Sequence, residues 1–234
     1  MRRFLAFACC WLAAAWMALG GPLLNPFISF PPAGGGPTFL LSEDFDGTNS
    51  TNLSGYNSWT GDSTDGIELS TAQAQSGTGS LKITGSDVAE ARKTFTAQTG
   101  TFVIDYYFRP DGSNYLSHPH LSNGTFNYGS NNWPTLFRSA VTSLQYSATG
   151  GGPPNWTGVG GVTLSNGTWV RLEVEINLAT DTMNAWVDGT QRLTGTALRN
   201  ASSSMDTVGV ADNTGGAPVG YIDRLRIYSG TRTP

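Results

Sequence analysis

Cysteine is almost missing from this chain: Cys9 and Cys10, side by side in one apolar run near the amino terminus, are the only two. Once that run is removed, neither a disulfide framework nor thiol chemistry is available. Charge is scarce too, at 13% of residues, and 13 Lys and Arg against 17 Asp and Glu give a formal net charge of −4. That balance excludes a basic footprint for nucleic acid and disfavours polyanion binding by bulk charge. Histidine is limited to His118 and His120, and helical periodicity is not evident. What is abundant is Gly, 30 residues, with Ser, Thr and Asn filling the gaps between short apolar runs. Strand-and-turn proteins have this composition.

Residues 1–20, MRRFLAFACCWLAAAWMALG, combine a basic start, an apolar run from Phe4 to Leu19 and small residues around Ala18 and Gly20. This reads as a signal peptide and implies a secreted or cell-surface protein with no integral membrane domain after cleavage. A retained anchor is the alternative, since the run approaches the ~18 residues of a spanning helix. Residues 21–37 hold five prolines and four glycines and read as a linker. From residue 38 to 230 the chain has the pattern of one all-β domain.

Its clearest segment is WVRLEVEINLATDTMNAWVDG, residues 169–189. Val170, Leu172, Val174 and Ile176 alternate with Trp169, Arg171, Glu173 and Glu175, as a half-buried strand requires. A second strand, Thr182 to Val187, runs into Asp188-Gly189, a hairpin signal, and QRLTG continues as a third. Elsewhere FLLSEDF, DGIEL, SLKIT, ARKTFTA, TFVIDYYFRP, TLFRSAV, SLQYSA, GVTLS, DTVGVA and GYIDRLRIY read as strands. Residues 110–132 and 148–161 read as long loops, which in compact domains often carry function.

Three of these pieces, LSEDFDG, WVRLEVEI with AWVDG, and GYIDRLRIY, resemble the concanavalin A-like lectin/glucanase group, especially its LamG-like jelly-roll domains. The resemblance covers roughly residues 38 to 230. It implies a two-sheet antiparallel jelly-roll sandwich whose terminal strands lie close together and whose curved sheet often presents a sugar-binding face. Several members carry a structural calcium near the chain ends. Glu43 shares parity with Phe45, and Asp223 with Leu225 and Ile227, so both carboxylates are expected on the apolar side. With the terminal strands adjacent, Glu43 and Asp223 are expected to bridge a structural Ca2+, or alternatively to pair with Arg92 or Arg224.

Catalysis has weaker support in the residues. The Glu-x-Asp-x-x-Glu run of the group's glucanases is absent, and Glu173 with Glu175, about 7 Å apart on one strand face, is the nearest substitute. A polysaccharide lyase would need a charge neutraliser and a base, types that Tyr107, Arg109, Tyr115, His118, His120 and Arg138 supply. The Arg-x-Glu-Leu-Arg and Gln-Ile-His signatures of the alginate-lyase relatives are missing. Binding without cleavage asks for less: aromatic faces for a pyranose and a few polar groups for its hydroxyls. Tyr107, Arg109, His118, His120, Trp133, Arg138, Trp156, Glu175 and Trp186 are the expected carbohydrate-binding residues. The sequence thus reads as a secreted module for an extracellular carbohydrate, with a lyase or hydrolase on the same fold, or an adhesive surface domain, as alternatives.

Overall fold

The computed structural model describes residues 37–61, 66–84, 89–112, 115–124, 133–148, 154–212 and 220–233. The expected signal peptide and nearly all of the linker lie outside these residues. In chain order the strands are β1 (Phe39–Glu43), β2 (Ile67–Ser70), β3 (Ser80–Ile83), β4 (Ala89–Gln98), β5 (Thr101–Pro110), β6 (Tyr115–Ser117), β7 (His120–Ser122) and β8 (Phe137–Ala140). They continue with β9 (Ser143–Ser147), β10 (Trp156–Gly158), β11 (Val170–Asn177), β12 (Thr182–Val187), β13 (Thr190–Ala197), β14 (Met205–Asp212) and β15 (Gly220–Ser229).

One layer is an eight-stranded antiparallel sheet ordered β13-β12-β11-β5-β15-β3-β2, with β1 also paired to β15. The opposing layer is a three-stranded sheet, β4-β14-β7, and a four-stranded sheet, β10-β9-β8-β6. This is a jelly-roll β-sandwich, as the sequence implied. Its cause is the alternation within the central strands. Phe102, Ile104, Tyr106 and Phe108 of β5 stand in register with Ile176, Val174, Leu172 and Val170 of β11, and all eight are buried. Each such side chain contributes roughly 1.5 to 3 kcal/mol over leaving it in water, so a one-residue slip of either strand is prohibitive.

The terminal strands β1 and β15 are neighbours, but the register corrects the parity expected for Asp223. Between Asp223 and Arg226 strand β15 carries one extra residue relative to β5, with Arg224 at φ 52°. The bulge returns Leu225 and Ile227 to the core while Asp223 sits opposite Tyr107 on the other face. Glu43, opposite Leu225, does face inward.

Asp223 is nonetheless fully buried, because the loop entering β3 fills the gap between β3 and β1 along the edge of β15. Its Oδ2 accepts the backbone N–H groups of Gln75 (2.8 Å) and Ser76 (3.1 Å), and its Oδ1 accepts that of Arg224 (2.7 Å). Asp46 closes the other end of the same loop by accepting the N–H groups of Thr78 and Gly79. Gly77 lies between them at φ 64°, where a Cβ would stand 2.1 Å from Asp46 Oδ1, so only glycine fits.

Other departures from the sequence reading are local. GVTLS forms no strand: Leu164 reaches the core through a single bond from its N–H to Thr142 O. The two expected long loops contain β6, β7 and β10, three-residue strands too short to show periodicity against their Gly, Pro and Asn surroundings.

Replacing Asp223 with alanine strands three backbone donors, two of them in the loop and one at a strained residue. Asp223→Ala is expected to lower unfolding stability by about 3 kcal/mol, read from urea denaturation; a loss below 1 kcal/mol would mean that the loop is held by something else.

Candidate functional site

The expected binding residues fall into two groups on different sheets. Tyr107, Arg109, Glu175 and Trp186 lie on the outward face of the eight-stranded sheet, the face opposite to Tyr106 and Val174. That face is crossed by the protein's own ion pairs. Arg171 donates Nε and Nη2 to the two oxygens of Asp105, both at 2.9 Å, and this carboxylate raises the guanidinium's pKa further.

Glu173 is wholly buried between two guanidinium groups, Arg171 Nη2 at 3.1 Å and Arg232 Nη2 at 3.0 Å. The first contact lacks hydrogen-bond alignment and is held by charge, whereas the second is a hydrogen bond. Glu175 accepts the Arg232 backbone N–H (2.8 Å) and the Asn184 side-chain amide (3.0 Å). The Arg232 guanidinium also stands 4.9 Å from the centre of the Trp186 ring, closing over the pair. Arg109 pairs with Asp111 (3.0 Å) and donates to Gln73, and Arg224 lies 5.5 Å from the Tyr107 ring centre. The Tyr228 hydroxyl below them is pushed up to about 12 by burial first and then by Asp105 and Glu173.

Glu43 has its own partners on the inner side. Lys93 of β4 donates to Oε1, and the Asn57 amide donates to Oε2 at 3.3 Å. The Lys93 ammonium thus pairs with Glu43 on the inner side, while Asp223 accepts three backbone N–H donors on the other face.

The second group gathers on the four-stranded sheet and the core beneath it. His118 and His120 are both fully buried rather than presented on a loop. His118 bridges the layers: Nδ1 is 3.0 Å from the Tyr106 hydroxyl of the large sheet and Nε2 is 2.8 Å from Ser139 Oγ of β8. A neutral imidazole, one nitrogen donating and one accepting, satisfies both hydroxyls. His120 stacks on Trp133 with ring centres 4.8 Å apart and planes 2° from parallel, and Trp133 is itself only 3% exposed. Burial lowers the pKa of each histidine from 6.5 to about 3, with His120 adding to the effect on His118 and Arg199 to that on His120.

Arg138 and Trp156 behave differently. On β8, Phe137 and Ser139 face inward, which turns Arg138 outward. Its guanidinium carbon lies 3.9 Å from the ring centre of Tyr115 and 4.0 Å from that of Trp156, a cation held between two aromatic faces. Pairing of β6, β8, β9 and β10 sets this up: Arg138 is opposite Ser117 on one side and Gln145 on the other. Gln145 Oε1 accepts its Nε–H at 2.8 Å. Trp156 packs against the buried Trp133, Leu136 and Ala211, which fixes the ring, and Tyr115 remains 44% exposed.

Arg138 and Trp156 were thus legible as candidates, whereas their partner Gln145 was not. The one available signal was the parity of Gln145 with Ser143 and Ser147 in SLQYSA. Using it requires knowing that β9 lies beside β8.

By sequence, no family model matches the chain, and neither does any curated protein. By structure it is similar to a sialidase, with TM-score 0.61 and 9% identity over 82% of this chain. The match spans only 19% of the sialidase. It is also similar to the cellulose induced protein Cip1, with TM-score 0.56 and 17% identity over 81% of this chain and 97% of that one. A third similarity is to domain 4 of AbnA, a GH43 extracellular arabinanase from Geobacillus stearothermophilus solved in complex with arabinotriose. Its TM-score is 0.56 with 16% identity, covering 84% of this chain and 95% of that one. These likenesses are likenesses of fold, an antiparallel β-sandwich of the jelly-roll kind.

The buried histidines make a pH prediction. Each has its folded pKa depressed, so the unfolded chain takes up protons below pH 6.5 that the folded chain refuses, and stability present above 6.5 is lost as pH falls toward 3. Urea midpoints are expected to drop between neutral pH and about pH 4.5, with a loss on the order of 2 kcal/mol per histidine. The double variant His118→Gln, His120→Gln should be less stable at neutral pH but lose less on acidification. A wild-type midpoint that stays constant over this interval would contradict neutral burial.

Proposed function

We propose that the chain is an exported LamG-like carbohydrate-binding module whose ligand platform is Tyr115, Arg138 and Trp156, with Gln145 beside them. The observation that carries this reading is the ordered stack of two aromatic rings about one guanidinium on an outward sheet face. Sugar recognition uses the same ingredients, a flat apolar surface for the pyranose ring and fixed polar groups at its edge for hydroxyls. Platform rigidity comes from below: Trp133 and Leu136 back Trp156, and Gln145 holds Arg138. Pre-organised side chains lose little entropy on binding. The similar solved structures, a sialidase, a domain of an extracellular arabinanase in complex with arabinotriose and a cellulose induced protein, support an extracellular glycan as partner.

Binding without cleavage is the reading favoured by the remaining residues. His118 and His120 lie beneath the sheet as neutral, buried groups and offer no base to a surface ligand. Glu173 is paired with Arg171 and Arg232, and Glu175 accepts the Arg232 backbone N–H and the Asn184 amide, so both carboxylates are engaged by the protein's own donors, which opposes the proton donor and nucleophile roles of a glycosidase.

On a glycan array the full chain is expected to bind at least one polysaccharide class and to release no reducing sugar or unsaturated product from it. Trp156→Ala should weaken that binding about tenfold or more, near 1.4 kcal/mol, with Trp186→Ala changing it less than about twofold. A larger loss from Trp186→Ala would move the site to the other sheet.

A structural calcium at Glu43 would have to displace the Lys93 ammonium that already pairs with it. Chelation by EDTA is accordingly expected to leave the melting temperature of the purified protein unchanged, and a fall of several degrees would instead establish a structural ion.

A further inference from the structure

The hairpin that carries Arg138 ends in an unusual turn. Strands β8 and β9 pair down to Ala140 and Ser143, which leaves Val141 and Thr142 as a two-residue connection. Val141 stands at φ 51°. Such turns fill a position of this kind with Gly, Asn or Asp, because a side chain branched at Cβ crowds the backbone there. The same chain closes β12 to β13 in the ordinary way, with Asp188 at φ 47° and Gly189 at φ 76°. Among the described residues with positive φ, Val141 is the one that is β-branched. Burial does not explain the choice, since the side chain is 52% exposed. Nor is the turn loose: Thr142 O accepts the Leu164 N–H at 2.8 Å, and Leu164 is anchored in the core.

A strained, apolar and exposed side chain costs stability that packing does not return, so its use lies outside the fold. Its place supplies that use. Tyr115 pairs with Ala140, the residue before Val141. Of the three large apolar side chains that stand exposed among the described residues, Phe39, Tyr115 and Val141, two therefore meet at one end of the platform. Along β8 the order is fixed by pairing: Trp156 lies opposite Ser147, which bonds to Leu136, then comes Arg138, then Tyr115 level with Ala140, and last Val141. By the rise of a strand this row is roughly 15 Å long, more than one pyranose ring fills. Resting on the platform reading, we propose that the ligand is a stretch of an oligosaccharide chain and not a single sugar. One sugar lies on Tyr115 and Trp156, and the next one along the chain sets its C–H face on Val141. Thr142, exposed beside it, offers a hydroxyl to the same sugar. Val141 is thus a residue that selects for chain length, held in place by the Leu164 anchor.

The test uses the full chain with cello-, xylo-, arabino- and galacturono-oligosaccharides, each from the monosaccharide to the tetrasaccharide. Isothermal titration is expected to show, for at least one series, affinity that rises about tenfold or more from the monosaccharide to the trisaccharide. Val141→Gly suits the positive φ and should keep or raise the urea midpoint. It should nonetheless weaken trisaccharide binding about threefold or more while leaving monosaccharide binding unchanged. Val141→Asn, polar and also suited to the turn, should lose as much, which separates the apolar contact from the shape of the turn. Affinity that does not depend on chain length, or a Val141→Gly protein that binds the trisaccharide as the wild type does, would overturn the inference. If Trp156→Ala still abolished binding in that case, the platform would stand. Absence of binding to every member of the four series would overturn both.

Discussion

The hydrogen-bonded line from the Tyr106 hydroxyl through His118 to Ser139 Oγ is the interaction on which the rest of the arrangement depends. It joins β5, at the centre of the large sheet, to β8, in the middle of the small one, across the apolar cluster between them. Apolar packing is strong but not directional, and alone it would let the four-stranded sheet slide over the core. A buried polar chain with both ends satisfied permits one position, because any shift leaves a hydroxyl or a ring nitrogen without its partner at a cost of about 1 to 3 kcal/mol each. Burial keeps the imidazole neutral, and neutrality is what allows it to serve one hydroxyl as acceptor and the other as donor.

The position of the platform follows from that anchorage. With Ser139 fixed inward, strand alternation sends Arg138 outward, and the pairing of β8 with β6 and β9 brings Tyr115 to one side and Gln145 to the other. Trp156 arrives from β10 and rests on Trp133, which stacks on the buried His120 ring. Both histidines thus support the site from beneath without touching a ligand. The large sheet shows the opposite economy. Asp105 and Glu173 pair with Arg171 and Arg232, and Glu175 accepts the Arg232 backbone N–H, so a strand face rich in charge is already occupied by its own contacts.

Much of the fold was legible because β5, β11, β12 and β15 are long enough for period-two alternation to be unmistakable. Phe102, Ile104, Tyr106 and Phe108 share one parity in TFVIDYYFRP, and all four are buried. What escaped was anything depending on one extra residue or on partners far apart in sequence. The bulge at Arg224 reversed the face of Asp223, which simple parity cannot anticipate. Histidines flanking a proline read as a loop pair, yet β7 adds to the edge of the three-stranded sheet and carries His120 inside. Arg138 and Trp156 were recognisable by residue type, while the stack they form with Tyr115 exists only through pairing across β6, β8, β9 and β10.

The central claim is that ligand meets the small sheet at Arg138 and not the large sheet at Glu175 and Trp186. NMR titration of the isotopically labelled chain with the glycan it binds on the array tests it most directly, since side-chain N–H signals report each site separately. Shifts confined to the Arg138 guanidinium, the Gln145 amide and the Trp156 indole are the predicted result. Shifts centred on the Trp186 indole, with the Arg138 and Trp156 signals unmoved, would contradict it.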